Sequence, residues 1–225
     1  MNLNTIKITS KVELHPLTYL FKFETQQKMD WQPGQFLVLQ IEPRIFRSYS
    51  IVNIHENELT LLIDCKIGGP ASKFFEASQI GTELNIVGKP LGKFVIQPND
   101  KHKIFVATGT GLAPFIPMIA SGTQPMSLFF GARFATDDYC KNLLLQFKAN
   151  HPNLSLFRCL SQEDSNPAES IYKGRVTSII PNEIKDYSDK EFYLCGNPAM
   201  VNEVTEILLS KGVSKDFIIT EKYGN

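Results

Sequence analysis

Over residues 1–98 the apolar positions come in short runs, alternating or continuous, separated by turn residues. That pattern belongs to half-buried strands. It predicts strands over Thr5–Leu14, Leu17–Glu24, Gln35–Ile41, Ser48–Asn53, Glu58–Ile63 and Thr82–Val87. His55-Glu56-Asn57 reads as a hairpin turn and Pro33-Gly34 as another. One stretch, Ala71 to Ala77, predicts a helix. Short strands with one helix predict a small antiparallel β-barrel.

After Gln97-Pro98-Asn99-Asp100 the rhythm changes. Strand-like runs alternate with helical ones: Ile104–Ala107 then Phe115–Ala120, Met126–Gly131 then Cys140–Asn150, Leu154–Leu160 then Val176–Ile180, Phe192–Cys195 then Ala199–Lys211. A last strand is predicted over Phe217–Glu221. Strand–helix alternation implies a parallel sheet with helices on both faces. The chain is therefore read as two domains, a barrel over 1–98 and a C-terminal α/β parallel-sheet nucleotide-binding domain over 99–225.

Composition narrows the functional classes. Lys plus Arg number 23 and Asp plus Glu 23, so the net charge is zero, against the basic excess expected of a binder of nucleic acid polymers. No apolar run approaches the roughly 20 residues a membrane helix needs, and the N-terminus lacks a signal-peptide pattern. Cys65, Cys140, Cys159 and Cys195 are far apart and match no zinc or iron–sulfur ligand spacing. No metal is expected. A reduced, cytoplasmic protein is the simplest reading.

The chemistry concentrates in a few short stretches. Ile104-Phe105-Val106-Ala107 runs into Thr108-Gly109-Thr110-Gly111, and Pro114 stands where a helix would begin. Glycines let backbone N–H groups approach a phosphate, and a helix start adds free donors. Proline suits the first helical turn because its missing N–H would be an orphan there. The loop departs from the usual dinucleotide fingerprint, with Pro114 in place of the third glycine. In the barrel half, Arg47-Ser48-Tyr49-Ser50 opens a strand, with Arg47 and Tyr49 on one face and Ser48 and Ser50 on the other. A guanidinium beside an aromatic ring suits a ligand with phosphate and a flat ring. Gly68-Gly69-Pro70-Ala71-Ser72 makes a second anion cradle at a helix start, with Ser72 able to add a hydroxyl. Each of these also has a plain structural reading as a turn, a rim arginine or a helix entry.

Taken in order, these motifs resemble the ferredoxin/flavodoxin–NADP reductase family over nearly the whole chain. The resemblance makes Arg47-Ser48-Tyr49-Ser50 the flavin motif: Arg47 holds the pyrophosphate, Tyr49 lies against the isoalloxazine, and Ser50 hydrogen-bonds near its reactive nitrogen. Gly69 and Ser72 belong to the turn that caps the same pyrophosphate. Thr108 to Pro114 matches the nicotinamide-dinucleotide loop, and Arg133 of Gly131-Ala132-Arg133 faces the adenosine side. Cys195-Gly196-Asn197-Pro198-Ala199-Met200 is similar to the turn that sets a cysteine beside nicotinamide and flavin. Glu221-Lys222-Tyr223 is similar to the C-terminal segment whose aromatic ring covers the flavin until nicotinamide displaces it.

Two positions depart from that pattern. Ser161-Gln162-Glu163 stands where NADP-using members commonly carry Ser-Arg-Glu, and Gln162 supplies no charge for a 2′-phosphate. Arg133, Lys173 and Arg175 remain, so NADPH is favoured with NADH as the alternative. The tail Gly224-Asn225 extends past Tyr223, as in bacterial-type members.

The resemblance implies hydride transfer from NADPH to bound FAD, then single electrons to a ferredoxin or flavodoxin. Ser50, Cys195, Glu221 and Tyr223 would be the residues at the reacting atoms. FAD is favoured over FMN because the barrel half holds two separate phosphate-friendly stretches, although one FMN phosphate could use both. Lys66, Lys73, Lys89 and Lys93 could dock an acidic partner. Three other readings stay open: an oxygenase reductase component using a separate ferredoxin, a flavin reductase that treats flavin as substrate, and a non-catalytic flavin- or nucleotide-binding module.

Overall fold

The structure, a computed structural model, describes residues 3–66 and 68–223. The Gly224-Asn225 tail and the first two residues lie outside the described residues. The chain divides into two compact units, one of Met1–Ile96 with Ala113–Met118, the other of Gln97–Leu112 with Ile119–Asn225.

In the first unit, six strands close into an antiparallel barrel. They are β1 (Leu3–His15), β2 (Thr18–Thr25), β3 (Phe36–Glu42), β4 (Ile45–His55), β5 (Glu58–Asp64) and β6 (Glu83–Val87), in the order β1-β2-β5-β4-β3-β6. Alternation fills the interior: Ile6 and Ile8, Phe21 and Phe23, Leu37 and Leu39, Leu59 and Leu61, and Leu84 and Ile86 are all buried. Irregular register in β1 at Ile8/Ser10 and Glu13/His15, and in β4 at Ile51/Asn53, supplies the bends that closure needs. Helix α1 (Pro70–Ala77) packs Phe75 onto this core, its ring 5.3 Å from Phe21 and 5.4 Å from Tyr49.

Strand β4 begins earlier than the predicted Ser48. Ile45 and Phe46 already pair with Glu42 and Gln40 across a turn at Pro43-Arg44, and Phe46 and Arg47 are both exposed, so no alternation marks the start.

The second unit is a six-stranded parallel sheet in the order β10-β9-β8-β7-β11-β12. Its strands are β7 (His102–Thr108), β8 (Met126–Ala132), β9 (Leu154–Leu160), β10 (Ile171–Lys173), β11 (Lys190–Gly196) and β12 (Ile218–Lys222). Helices α4 (Val176–Glu183) and α5 (Pro198–Ser210) pack on one face over Ile104, Val106, Phe129, Phe192 and Leu194. Helix α3 (Lys141–Asn150) packs against β9, and its Leu144 is fully buried. The short helix α2 (Phe115–Ser121) is divided between the two units, its residues up to Met118 falling with the first.

Strand β10 was not predicted, because three residues are too few for a period to appear. Within the sheet, Lys103 of β7 stands opposite Glu191 of β11, and their charged ends meet at 2.8 Å with essentially no exposure. The ammonium also donates to Asn99 Oδ1 and to the Gln97 carbonyl, while the Tyr193 hydroxyl donates to the same Glu191 carboxylate at 2.6 Å. Partners on every side are what make such a buried pair tolerable. Among the described residues no helix is long and apolar enough to cross a membrane.

Candidate active site

Because all the sheet strands are parallel, their C-terminal ends share one edge. The chain runs outward from β7 through β8, β9 and β10, then returns to β11 on the other side of β7. The edge between β7 and β11 is therefore the topological switch point, where open α/β sheets bind ligands.

Two glycines let these strand ends close on each other. A Cβ on Gly111 would lie 2.3 Å from the Cys195 carbonyl oxygen. Gly196 has φ +130, and a Cβ there would meet the Thr108 carbonyl and hydroxyl oxygens at 2.6 Å. The Asn197 N–H donates to Thr108 Oγ1 at 3.1 Å, and the Tyr223 N–H donates to the Gly196 carbonyl at 2.9 Å. Thr108, predicted as a cofactor contact, thus spends its hydroxyl lone pair on binding the two loops together.

The loop differs from the prediction in one respect. Gly109–Leu112 forms a 3-10 turn, and α2 starts at Phe115, just after a buried Pro114. The donors nearest an anion are therefore the leading N–H groups of that turn, not those of α2. Gly109 has φ +54 and open space where its Cβ would be, so a ligand can lie over the peptide. Thr110 is half-buried beside it.

Cys195, Glu221 and Tyr223 come together at the same edge. Cys195 pairs with Glu221 across β11 and β12 and is fully buried. Burial pushes its thiol well up, the Glu221 charge pushes it further, and a hydrogen bond with Tyr223 pulls the other way. The group is a neutral thiol at physiological pH, not a thiolate nucleophile.

Further along the edge, the Ser161 N–H donates to the Ala132 carbonyl at 3.2 Å and the Gln162 N–H to the Arg133 carbonyl at 2.9 Å. Gly131 fits between Thr108 and Val176, where a Cβ would meet side-chain carbons at 3.0 and 3.1 Å. Arg175 caps the start of α4. Arg133 and Arg175 are exposed and enter no ion pair among the described residues. Lys173, counted above with the available cations, is instead paired with Asp164 at 2.8 Å. Met200, in the first turn of α5, is 7% exposed and belongs to the core cluster with Ile104 and Val106.

The barrel unit holds the other predicted residues. Arg47 and Tyr49 stand opposite Leu39 and Leu37 in β3, and Ser50 opposite Phe36. Arg47 is exposed, its guanidinium donating to the Phe46 carbonyl at 2.8 Å, while Tyr49 is half-buried against Phe75. Ser50 is buried. Gly68 and Gly69 both take positive φ, +78 and +89, with nothing within 4 Å of where a Cβ would be. Pro70 opens α1 with no N–H to offer, so the orphan donors are those of Ala71 and Ser72. The Ser72 hydroxyl donates to the Gly68 carbonyl at 2.9 Å. Its proton is used inside the turn, so its contribution to an anion is its backbone N–H.

These turns suit the phosphates of FAD and of a nicotinamide dinucleotide. Positive-φ glycines with open space above them occur at Gly68 and Gly69 in one turn and at Gly109 in the other, each beside the leading N–H groups of a helical turn, as pyrophosphate groups require.

Comparison with known families agrees. The model described as "Oxidoreductase FAD-binding domain" matches residues 5–96, and "Oxidoreductase NAD-binding domain" matches residues 105–206. The two matched domains are the FAD-binding and NAD-binding pair that the resemblance to the ferredoxin/flavodoxin–NADP reductase family implies. The barrel is thus matched as an FAD-binding domain and the sheet as an NAD-binding domain. Among similar proteins is the reductase component, ferredoxin–NAD(P)(+), of the Pseudomonas putida naphthalene 1,2-dioxygenase system. It is 29% identical over 202 residues, covering 86% of this chain and 61% of that protein. The toluate 1,2-dioxygenase electron transfer component of Pseudomonas putida is 29% identical over 210 residues, covering 90% and 61%. The chain thus spans about three-fifths of the length of these relatives. In fold it is similar to a Neisseria gonorrhoeae ferredoxin NADP+ reductase with bound FAD and NADP, with TM-score 0.85, 20% identity and 99% of each chain covered.

Two further residues hold this sheet edge together. Asn197 caps α5, its side chain accepting from the Ala199 N–H at 2.8 Å, while its own N–H reaches Thr108. The Asn-Pro pair at a helix start was the available signal. Glu163 accepts the Ala135 N–H at 2.9 Å, joining the loops after β8 and β9. Nothing in its local sequence marks that role.

Proposed function

We propose that the chain is a reductase that takes reducing equivalents from NADPH onto bound FAD and delivers single electrons to a ferredoxin or flavodoxin. What carries this reading is the neutral, buried Cys195 set between Glu221 and Tyr223 at the switch point, an arrangement that simple nucleotide binding does not require. Bound FAD supplies the conversion between two-electron uptake and one-electron release.

The chain's own residues bind, orient and shield. Arg47, Gly69 and the N–H groups of Ala71 and Ser72 hold the flavin pyrophosphate, and Tyr49 orients the ring. Thr108 to Gly111 position the dinucleotide, with Arg133, Ser161 and Arg175 toward its adenosine end. Ser50 and Cys195 present a hydroxyl and a neutral thiol to the reacting atoms and exclude water there. Glu221 holds or moves a proton, and Tyr223 covers the flavin ring until nicotinamide takes its place. The division at residues 1–98 and 99–225 follows these two binding roles. A cytoplasmic location fits four cysteines that are all free and buried.

A second reading, an oxygenase reductase component using NADH, is favoured by Gln162 and by the Lys173–Asp164 pair, which leaves Arg133 and Arg175 to meet a 2′-phosphate. Lys66, Lys73, Lys89 and Lys93 are all exposed and suit an acidic electron acceptor. The acceptor assignment is tested by the rate of ferredoxin reduction against ionic strength. A steep fall with added salt, blunted in Lys66→Glu and Lys73→Glu, is the expected result. A flat response would remove the lysine patch from the account.

A further inference from the structure

A cavity of about 240 Å³ lies between α5 and β12. Val201 and Ile218 are its apolar lining, and Asn202, Thr205, Lys215, Thr220 and Lys222 are the polar residues around it. No Asp or Glu lines it. Neither Lys215 nor Lys222 enters an ion pair among the described residues, whereas Lys22, Lys101, Lys141 and Lys173 each pair with a carboxylate. Two lysines that enter no ion pair thus line one hollow, with hydroxyl and amide side chains beside them and no carboxylate in the lining, which makes the site electropositive and concave.

We propose that this cavity binds a small phosphate-bearing anion. Lysines act as point charges for phosphate, and the hydroxyl and amide donors add direction around a tetrahedral group. The volume admits inorganic phosphate or a small phosphomonoester and is below that of drug-sized sites, roughly 300 Å³ and upward.

The site's position gives it a consequence. Alternation along β12 puts Thr220 and Lys222 on the cavity side and Glu221 on the other face. β12 is an edge strand held by β11 alone within the sheet. An anion joining Lys222 to Lys215 would brace the strand that carries Glu221 and leads into Tyr223. This coupling rests on the function proposed above; the binding itself does not, and a direct binding measurement separates the two.

The test is amide NMR of the isotope-labelled, FAD-loaded protein, titrated with inorganic phosphate or glycerol phosphate against potassium chloride at equal ionic strength. The expected result is saturable shifts at Asn202, Lys215, Thr220 and Lys222, with affinity about tenfold weaker in Lys215→Ala/Lys222→Ala, that is, about 1.4 kcal/mol. Saturation by glycerol phosphate alone would assign the site to phosphate esters, and by both to phosphate in general. Unsaturated shifts, shifts confined to 109–111, Arg133 and Arg175, an unchanged double variant, or an equal response to succinate would each overturn the proposal. Slower hydrogen exchange of β12 amides with phosphate present would support the bracing, and unchanged exchange would remove it while leaving the binding result standing.

Discussion

The two glycine turns of this protein use the same residue for different physical reasons. At Gly68 and Gly69 of the barrel unit the space beside each Cα is empty, and glycine serves the positive φ that turns N–H groups outward. At Gly111 and Gly196 of the sheet unit the space is filled by backbone: the Cys195 carbonyl against one and the Thr108 carbonyl against the other. The first turn is shaped for a ligand to arrive, while the second is shaped by two strand ends pressed together, with the ligand loop Gly109–Leu112 resting on that contact. Losing a glycine should therefore harm binding in the barrel and folding in the sheet.

Gly196→Ala breaks that comparison hardest. A methyl group there meets backbone oxygen as well as a left-handed φ, and about 3 kcal/mol or more of stability should disappear in urea unfolding. Gly111→Ala should behave likewise, since the clash is with backbone that cannot step aside. A loss under about 1 kcal/mol at both sites would mean the strand ends are not in contact as described.

Gly69→Ala should cost only about 1 kcal/mol, the strain of φ +89 with nothing to clash against. Its larger effect should be on cofactor affinity: FAD released by dialysis should rebind about tenfold more weakly, read by recovery of flavin absorbance. If FAD rebinds unchanged, the 68–72 turn is only a helix entry.

Tyr223→Ser probes the contrast from the other side: it keeps the backbone N–H bond to Gly196 and gives up the side-chain hydrogen bond with Cys195. Stability should fall by no more than about 1 kcal/mol, while nicotinamide dinucleotide should bind several-fold more tightly if the ring occupies the nicotinamide position. Unchanged affinity in a titration would end that assignment.

The smallest effect concerns pH. Burial pushes Cys65 up to about 11 and Cys140 up to about 12, and raises Cys159 and Cys195 as well. A thiol whose folded value is raised contributes stability fully below the unfolded value of about 9 and loses it as pH climbs through the folded value. Thermal stability should thus decline only above pH ~9. Alkylation at pH ~8 should track global unfolding at all four cysteines, since fast labelling of Cys195 in the folded protein would contradict a buried neutral thiol.

Much of this was legible along the chain because the physics involved is local. Alternation placed the barrel strands within a few residues, and the Leu154–Leu160 run coincided with β9. The glycine stretches marked both turns. What stayed hidden depends on partners distant in sequence. Lys103 lies just before the apolar run Ile104–Ala107, and nothing marks it until the sheet register sets Glu191 opposite it. Met200 stands near the start of α5, and only the fold shows that it joins the core cluster with Ile104 and Val106. Lys173 counts as a free cation until the fold brings Asp164 to it.

The central claim is that this chain moves electrons from a nicotinamide dinucleotide to a flavin it holds. Anaerobic stopped-flow reduction of the purified FAD-loaded protein, with NADPH and NADH compared side by side, tests it most directly. The account predicts rapid bleaching of the visible flavin band, faster with NADPH if Arg133 and Arg175 make up for Gln162. A flavin that neither nucleotide bleaches, or a protein that retains no flavin, would contradict it.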